Sequence, residues 1–418
     1  MKINLPPDPD LEALVRRLND SAQTGAKEKE PGEAKDHLER PAPADRAEWV
    51  LPGGENEDRK RLHLLLARCR EKEATDLILA TGAPPTCRVD GVLHHLDTEP
   101  LAAAETTVLC ATLVPPERRA ALASRGAVDF SFSRAGLGRF RCNVHRERSS
   151  WAAAVRLFPL ELPEIEDLNL PRGLARFTEL EHGFVLVTGP TGSGKSTTLA
   201  AMLKRILARR TLHAITIEDP VEYEHPHGRS VVEHIEIGRD TPTFAQALRS
   251  ALRQDPDVIL VGEMRDRESI SIAITAAETG HLVLSTLHTG DAPQTINRIL
   301  DSYPAAQIDA IRTQLSISLA GIISQRLLPR KVGTGRVPAV ELVLASDAVR
   351  NLIRRGRIEQ IRAQIMLEQG AGMTTLDQSL SELVRRGLVD EKEARTRSRA
   401  PKEFDALMVG PGLSKTHP

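Results

Sequence analysis

The chain has 418 residues, enough for two globular domains with terminal extensions. Its 56 basic and 57 acidic residues nearly cancel, so bulk charge gives no support for a polyanion-binding protein. The four cysteines, Cys69, Cys87, Cys110 and Cys142, form no C-x-x-C pair, which excludes a zinc ribbon or disulfide framework and fits a reducing cytosol.

Residues 1–57 are rich in Pro, Glu, Lys, Asp and Ala and predict a disordered extension, with one short helical patch at Leu11, Leu14, Val15 and Leu18. The start of the chain carries no apolar signal core. No run approaches the roughly 20 apolar residues of a spanning helix, so no direct membrane span is predicted. From Arg59, Leu62, Leu64, Leu65, Leu66 and Cys69 recur at helical spacing, and a strand-like run follows at 76–80. The segments 128–132, 138–145 and 152–158 read as strands of a small α+β domain over 58–160, the first two joined by a turn at 135–137. Three prolines and four acids within 159–171 predict a linker, set at 161–171. Beyond it, apolar runs at 184–188, 214–217, 258–261 and 282–286 alternate with helical patterns. That alternation predicts a mostly parallel sheet covered on both faces, an α/β domain over 172–400. From about Ala305 the pattern reads as helical except for a strand at 336–343, and 401–418, with its prolines, reads as a flexible tail.

The run 184–188 leads into Gly189-Pro190-Thr191-Gly192-Ser193-Gly194-Lys195-Ser196, followed by Thr197 and a helical pattern over 195–207. This is G-x-x-x-x-G-K-[ST] in its strand-to-helix setting. Successive backbone N–H groups must curl inward around a phosphate, a bend that side chains obstruct, and the helix dipole then faces the same anion. The sequence thus assigns 189–197 to ATP, Lys195 to its β- and γ-phosphates and the Ser196 hydroxyl to Mg2+. A Gly-rich turn that binds nothing is the bland alternative.

Such a site needs a carboxylate at a neighbouring strand end. Glu263 emerges just past the run 258–261 and is the candidate for general base or water-positioning group; a surface acid after a core strand is the alternative. Between the two motifs, Glu218, Asp219 and Glu222 cluster around Pro220 at a strand exit, either to hold Mg2+ and water or as solvated turn residues. His281 and His288 flank the run 282–286, either to sense a γ-phosphate or to cap loops.

Four blocks in order, G-P-T-G-S-G-K-S-T-T, T-I-E-D-P-V-E-Y, A-L-R-S-A-L-R-Q-D-P-D-V-I-L-V-G-E-M-R-D and T-A-A-E-T-G-H-L-V-L-S-T-L-H-T, resemble the Walker A, aspartate box, Walker B and histidine box of the secretion ATPases of type II secretion and type IV pili. The similarity runs over 59–389. Within that family the chain is most similar to the twitching-motility retraction ATPases. Ala348-Val349-Arg350-Asn351-Leu352-Ile353-Arg354 resembles their A-I-R-N-L-I-R-E motif, departing at Val349 and at Arg355, where a base replaces the acid. Read alone, this segment is an amphipathic surface helix.

The resemblance implies a PAS-like N-terminal domain over 58–160, then a RecA-like P-loop ATPase domain with a helical C-terminal region. It also implies a homohexamer holding ATP between the domains, with Arg139, Arg141 and Arg156 closing over the phosphates; Arg139 and Arg141 share a strand face. Without the resemblance these arginines are an exposed charged face. It assigns Glu218 and Asp219 to Mg2+ and His281 and His288 to catalysis. The implied function is an ATPase motor for type IV pilus retraction in twitching motility. Such a motor is cytoplasmic and docked at the inner face of the inner membrane, acting through a platform protein and indirectly on pilin. A pilus assembly or type II secretion ATPase is the alternative, though paired cysteines and a longer ordered N-terminus are then expected. A RecA-like nucleic-acid translocase belongs to a different class, and 3% aromatic residues offer few stacking platforms, so no nucleic acid is expected. A scaffold that binds nucleotide without hydrolysis is the remaining possibility.

Overall fold

The computed structural model describes residues 57–409. The extension expected over 1–57 and the helical patch within it lie outside the described residues apart from Glu57, as does 410–418.

Helix α1 (Glu57–Glu71) starts on two acids and ends near Arg68 and Arg70, charges that complement its dipole, and turns Leu62, Leu65, Leu66 and Cys69 inward. Strands β1 (Asp76–Leu79), β2 (Thr86–Val89) and β3 (Val92–His95) follow. Helices α2 (Ala103–Leu113) and α3 (Arg119–Arg125) then lead to β4 (Ala127–Arg134), β5 (Gly138–Glu147) and β6 (Ser150–Leu157). These strands form one antiparallel sheet in the order β3-β2-β1-β6-β5-β4. The turn at 135–137 closes the β4–β5 hairpin, with Arg134 opposite Gly138. Phe130, Phe132, Phe140, Cys142 and Val144 point into the core with α1 and α2. Ser131, Arg139 and Arg141 take the opposite face of the sheet. The Phe132 and Phe140 rings stack with centroids 5.0 Å apart. All four cysteines are buried free thiols. Burial pushes Cys69 and Cys110 up to about 12.

The second sheet has the order β13-β12-β7-β11-β10-β8-β9. Its strands are β7 (Gly183–Thr188), β8 (His213–Glu218), β9 (Val231–Glu236), β10 (Val258–Val261), β11 (Leu282–Leu287), β12 (Leu319–Pro329) and β13 (Arg336–Leu344). Only β13 runs antiparallel to its neighbour. Every residue of β7, β10 and β11 is buried, the double-sided cover that their unbroken apolar sequences require. Helix α4 (Lys195–Arg209) packs on one face. Helices α5 (Phe244–Ala251), α6 (Arg267–Glu278), α7 (Ala292–Leu300) and α8 (Ile308–Ser318) pack on the other. The expected linker is a strap laid on α4: Ile165 is buried, and Lys204 donates to the Leu162 carbonyl at 2.8 Å and pairs with Glu164 at 2.6 Å.

Two expectations need correction here. Strand β12 falls where a helical pattern was expected, because a continuous apolar run looks alike in a buried strand and a buried helix. The tail expected from 401 instead starts with helix α13 (Pro401–Val409), since proline suits a first helical turn as well as a loop. Phe404 anchors α13, fully buried among α11 (Leu376–Arg385), α12 (Glu391–Arg397) and β13. Phe404→Ala is expected to destabilise this region by about 3 kcal/mol or more, seen as a lower denaturation midpoint.

The segment resembling the retraction motif forms α9 (Asp347–Arg354), capped by Ser346 and burying Val349 and Ile353. Arg350 is not a free surface charge: it donates to the carbonyls of Ala345 and Ser316 at 2.9 Å each, and to that of Ile317, closing the end of α8. Arg355 is exposed just past the helix. Helix α10 (Ile361–Leu367) follows. No helix among the described residues is long and apolar enough to cross a membrane.

Candidate active site

The phosphate loop leaves the C-terminal end of β7, between β11 and β12, where ligands of open α/β sheets gather. Gly189 sits at φ 147°, and a methyl group on it would collide with the Gln325 carbonyl oxygen. Gln325, on β12, braces the loop with its side chain too: Nε2 donates to the Ser193 carbonyl at 2.6 Å, and Oε1 accepts from the Thr198 hydroxyl at 3.0 Å. Next to it, Thr188 donates to Ser324 at 2.9 Å. Sequence reasoning missed Ser324 and Gln325 because it missed their strand; the available signal was a Ser-Gln pair interrupting an apolar run. Gln325→Ala leaves the Ser193 carbonyl and the Thr198 hydroxyl without this partner, and is expected to weaken ADP binding about tenfold in a fluorescent-nucleotide titration.

Lys195 is buried and its ammonium donates to the Gly189 and Pro190 carbonyls, each at 3.1 Å. Burial lowers its pKa, against the opposing pull of Glu263 and Glu222. Thr191 and Gly192 are exposed at the lip of the loop. Ser196 opens α4 with Thr197, which accepts from the Tyr223 hydroxyl at 3.1 Å. Ser196, Glu218, Tyr223 and His225 border a cavity of about 20 Å³.

Glu263 stands just past β10 between two side chains, 2.9 Å from the Arg265 guanidinium and 3.2 Å from the His288 ring. Burial alone raises its pKa, but Arg265, with His288 and Lys195, outweighs that and holds the carboxyl below its ordinary value. It is ionised at neutral pH. Glu218 behaves oppositely: burial pushes it up to about 8, only partly offset by the Glu222 N–H. Asp219 lies exposed beyond it. Among the described residues no three His, Cys, Asp or Glu side chains converge as a metal cage. Mg2+ asks for less than that, one or two hard oxygen donors beside substrate phosphates.

The other expected site residues are scattered. His281 precedes β11, whereas His288 follows it, and six residues of strand separate them by about 20 Å. His281 therefore lies at the far end of the sheet, its Nδ1 3.0 Å from the Ala276 carbonyl, and does not reach the phosphate loop. A groove of about 710 Å³, lined by Gly183, Ile317, Leu344 and Arg350, opens at that same far end. Arg139 is buried and held by Glu236 at 2.8 Å and Glu224 at 3.0 Å, so it ties the two sheets together. A buried guanidinium needs such counter-ions. Arg141 and Arg156 face each other across β5 and β6, both exposed, with Arg156 3.2 Å from Asp76.

Burial holds His225 near 3 and lowers His234 as well. The unfolded chain therefore binds more protons than the folded one between about 3 and 6.5, and stability falls as pH drops through that window. His225→Asn is expected to lessen the loss of stability between about pH 7 and pH 4 in denaturant titrations.

A phosphate loop at the end of β7, a basic lysine within it and an ionised carboxylate at the end of β10, one strand removed across β11, define a P-loop ATPase. Residues 159–395 match the family described as type II/IV secretion system protein. The chain is 43% identical over 340 residues to the type IV pilus retraction ATPase PilT of Pseudomonas aeruginosa, covering 81% of this chain and 98% of the relative. It is 45% identical over 314 residues to a twitching motility protein of Neisseria gonorrhoeae, covering 75% of this chain and 84% of the relative. The crystal structure of the pilus retraction motor PilT with bound ADP matches with a TM-score of 0.76 at 44% identity, covering 82% of this chain and 98% of that one. The chain belongs to the type II/IV secretion system protein family.

Proposed function

We propose that this chain is the ATP-driven motor of type IV pilus retraction, working as a homohexamer. The observation that carries the reading is similarity to a retraction ATPase over 98% of that relative's length, together with an intact phosphate loop and the Glu263–His288 pair. ATP lies against the backbone amides of 189–197, and Lys195 exchanges the Gly189 and Pro190 carbonyls for its β- and γ-phosphates. The Ser196 hydroxyl and the Glu218 carboxyl border one cavity and are the oxygen donors for Mg2+, with Asp219 just beyond. When bound, Mg2+ neutralises charge that develops on the phosphates. Glu263, ionised and flanked by Arg265 and His288, accepts a hydrogen bond from the attacking water and aligns it.

The domains are assigned as 58–160 and 172–400 joined by 161–171, with nucleotide between them. Arg141 and Arg156 close over the phosphates when the N-terminal domain turns, and Arg139 joins them if its carboxylate partners let go. Closure and release are the mechanical output. The protein works in the cytoplasm at the inner face of the inner membrane, moving a platform protein and through it pilin. Deleting the gene and scoring surface pili and twitching together tests this. Surplus pili with lost motility are expected; a bald cell identifies an assembly motor instead, and unchanged pili and motility defeat the proposal.

A further inference from the structure

His288 reaches Glu263 from the short segment between β11 and α7, and that segment is held from an unexpected direction. Asp291 caps α7, its Oδ1 accepting from the Gln294 N–H at 2.7 Å. Its other oxygen pairs with Arg399, which comes from the connection between α12 and α13, and both side chains are largely buried. Gly290 makes the approach possible, because a side chain there would run into the Arg399 guanidinium. The backbone of Arg399 is itself pinned: Asp377, 1% exposed, accepts from the Arg399 N–H at 3.1 Å and from the Ser398 hydroxyl at 2.6 Å. Asp377 also accepts from Arg362 of α10 at 2.8 Å, and Arg362 reaches Glu403 of α13 at 2.7 Å. One chain of charged contacts therefore runs from α10 through Asp377, Arg399 and Asp291 to the segment that bears His288.

We propose that Arg399 is a positioning residue, reaching from the C-terminal helices to Asp291 and so fixing the 288–291 segment that holds His288 against Glu263. Among the described residues Arg399 is the contact through which α12 and α13 meet this segment by an ion pair. Its burial matters: a partly dehydrated pair keeps one geometry, whereas an exposed one wanders. The consequence is that the state of the C-terminal helices sets how well Glu263 aligns water, without any of them touching nucleotide. The inference rests on reading Glu263 as the water-aligning carboxylate.

The test compares R399M, D291N, the double variant and E263Q in full-length assembled protein, with ATP turnover and fluorescent ADP binding measured for each. D291N keeps a side chain able to cap α7 and so guards against simple unfolding. R399M and D291N are each expected to lower kcat roughly tenfold or more with KM and ADP affinity held within about twofold. The double variant is expected to be no worse than either single one, because both break one contact. Adding R399M to E263Q is expected to cost nothing further. Unchanged kcat in D291N, or losses that multiply in the double variant, overturns the role of Arg399. So does a loss confined to KM. Full activity in E263Q instead removes the reading of Glu263 and leaves the R399M and D291N comparison to be read on its own.

Discussion

Glu263→Gln is expected to reduce Mg2+-dependent ATP turnover by about a hundredfold to a thousandfold while ADP affinity stays near that of the unaltered protein. The substitution preserves shape and removes charge. The carboxylate sits 2.9 Å from Arg265 and 3.2 Å from His288, which keep it ionised and fix its direction. A neutral amide in the same place neither attracts the proton of the attacking water nor balances the Arg265 charge. Since Arg265 holds the carboxyl below its ordinary value, the acid limb of the kcat profile falls no higher than the usual carboxylate range. Undiminished turnover in steady-state assays rules Glu263 out of the chemistry, and a matching loss of ADP binding assigns it to nucleotide affinity.

Arg139→Ala is expected to destabilise the protein by about 3 kcal/mol, because it strands Glu236 in a buried setting. That carboxylate is nearly inaccessible and faces Arg139 at 2.8 Å, with Ser131 and the Val221 N–H as uncharged donors. Arg239, 3.8 Å away, is a further cation beside it and lessens the loss. Chemical denaturation reads this directly. A variant that keeps its stability and loses only turnover reverses the assignment, making Arg139 an arginine that acts on the phosphates while its pairing with Glu236 adds little. Arg139→Lys separates the cases further: it keeps a charge near Glu236 but not the two-pronged reach to Glu224.

The parts of this molecule legible in its sequence are those where local chemistry admits one arrangement. The phosphate loop announces itself because its glycines, lysine and serine must stand in one order between a strand and a helix. Glu263 was visible because it ends a strand too apolar to lie anywhere but in the sheet. His281 and His288 looked equivalent, since both border one strand; only the direction of that strand separates the loop-side residue from the distant one. The arginines of β5 were placed on one face correctly by alternation, but what that face meets depends on Glu224 and Glu236, far along the chain. Gln325 was hidden for a related reason. Its role comes from β12 lying beside β7, a pairing between segments some 130 residues apart that no window of sequence displays.

The concealment of all four native thiols inside the N-terminal core has a practical side. Sulfhydryl reagents attack the thiolate; all four thiols are inaccessible, and burial makes Cys69, Cys110 and Cys142 hard to deprotonate as well. A fluorophore pair attached to cysteines newly introduced at the outward-facing Val92 of β3 and Val332, in the connection between β12 and β13, would therefore test for the proposed swing between the two domains during turnover, with no need to replace the native thiols first.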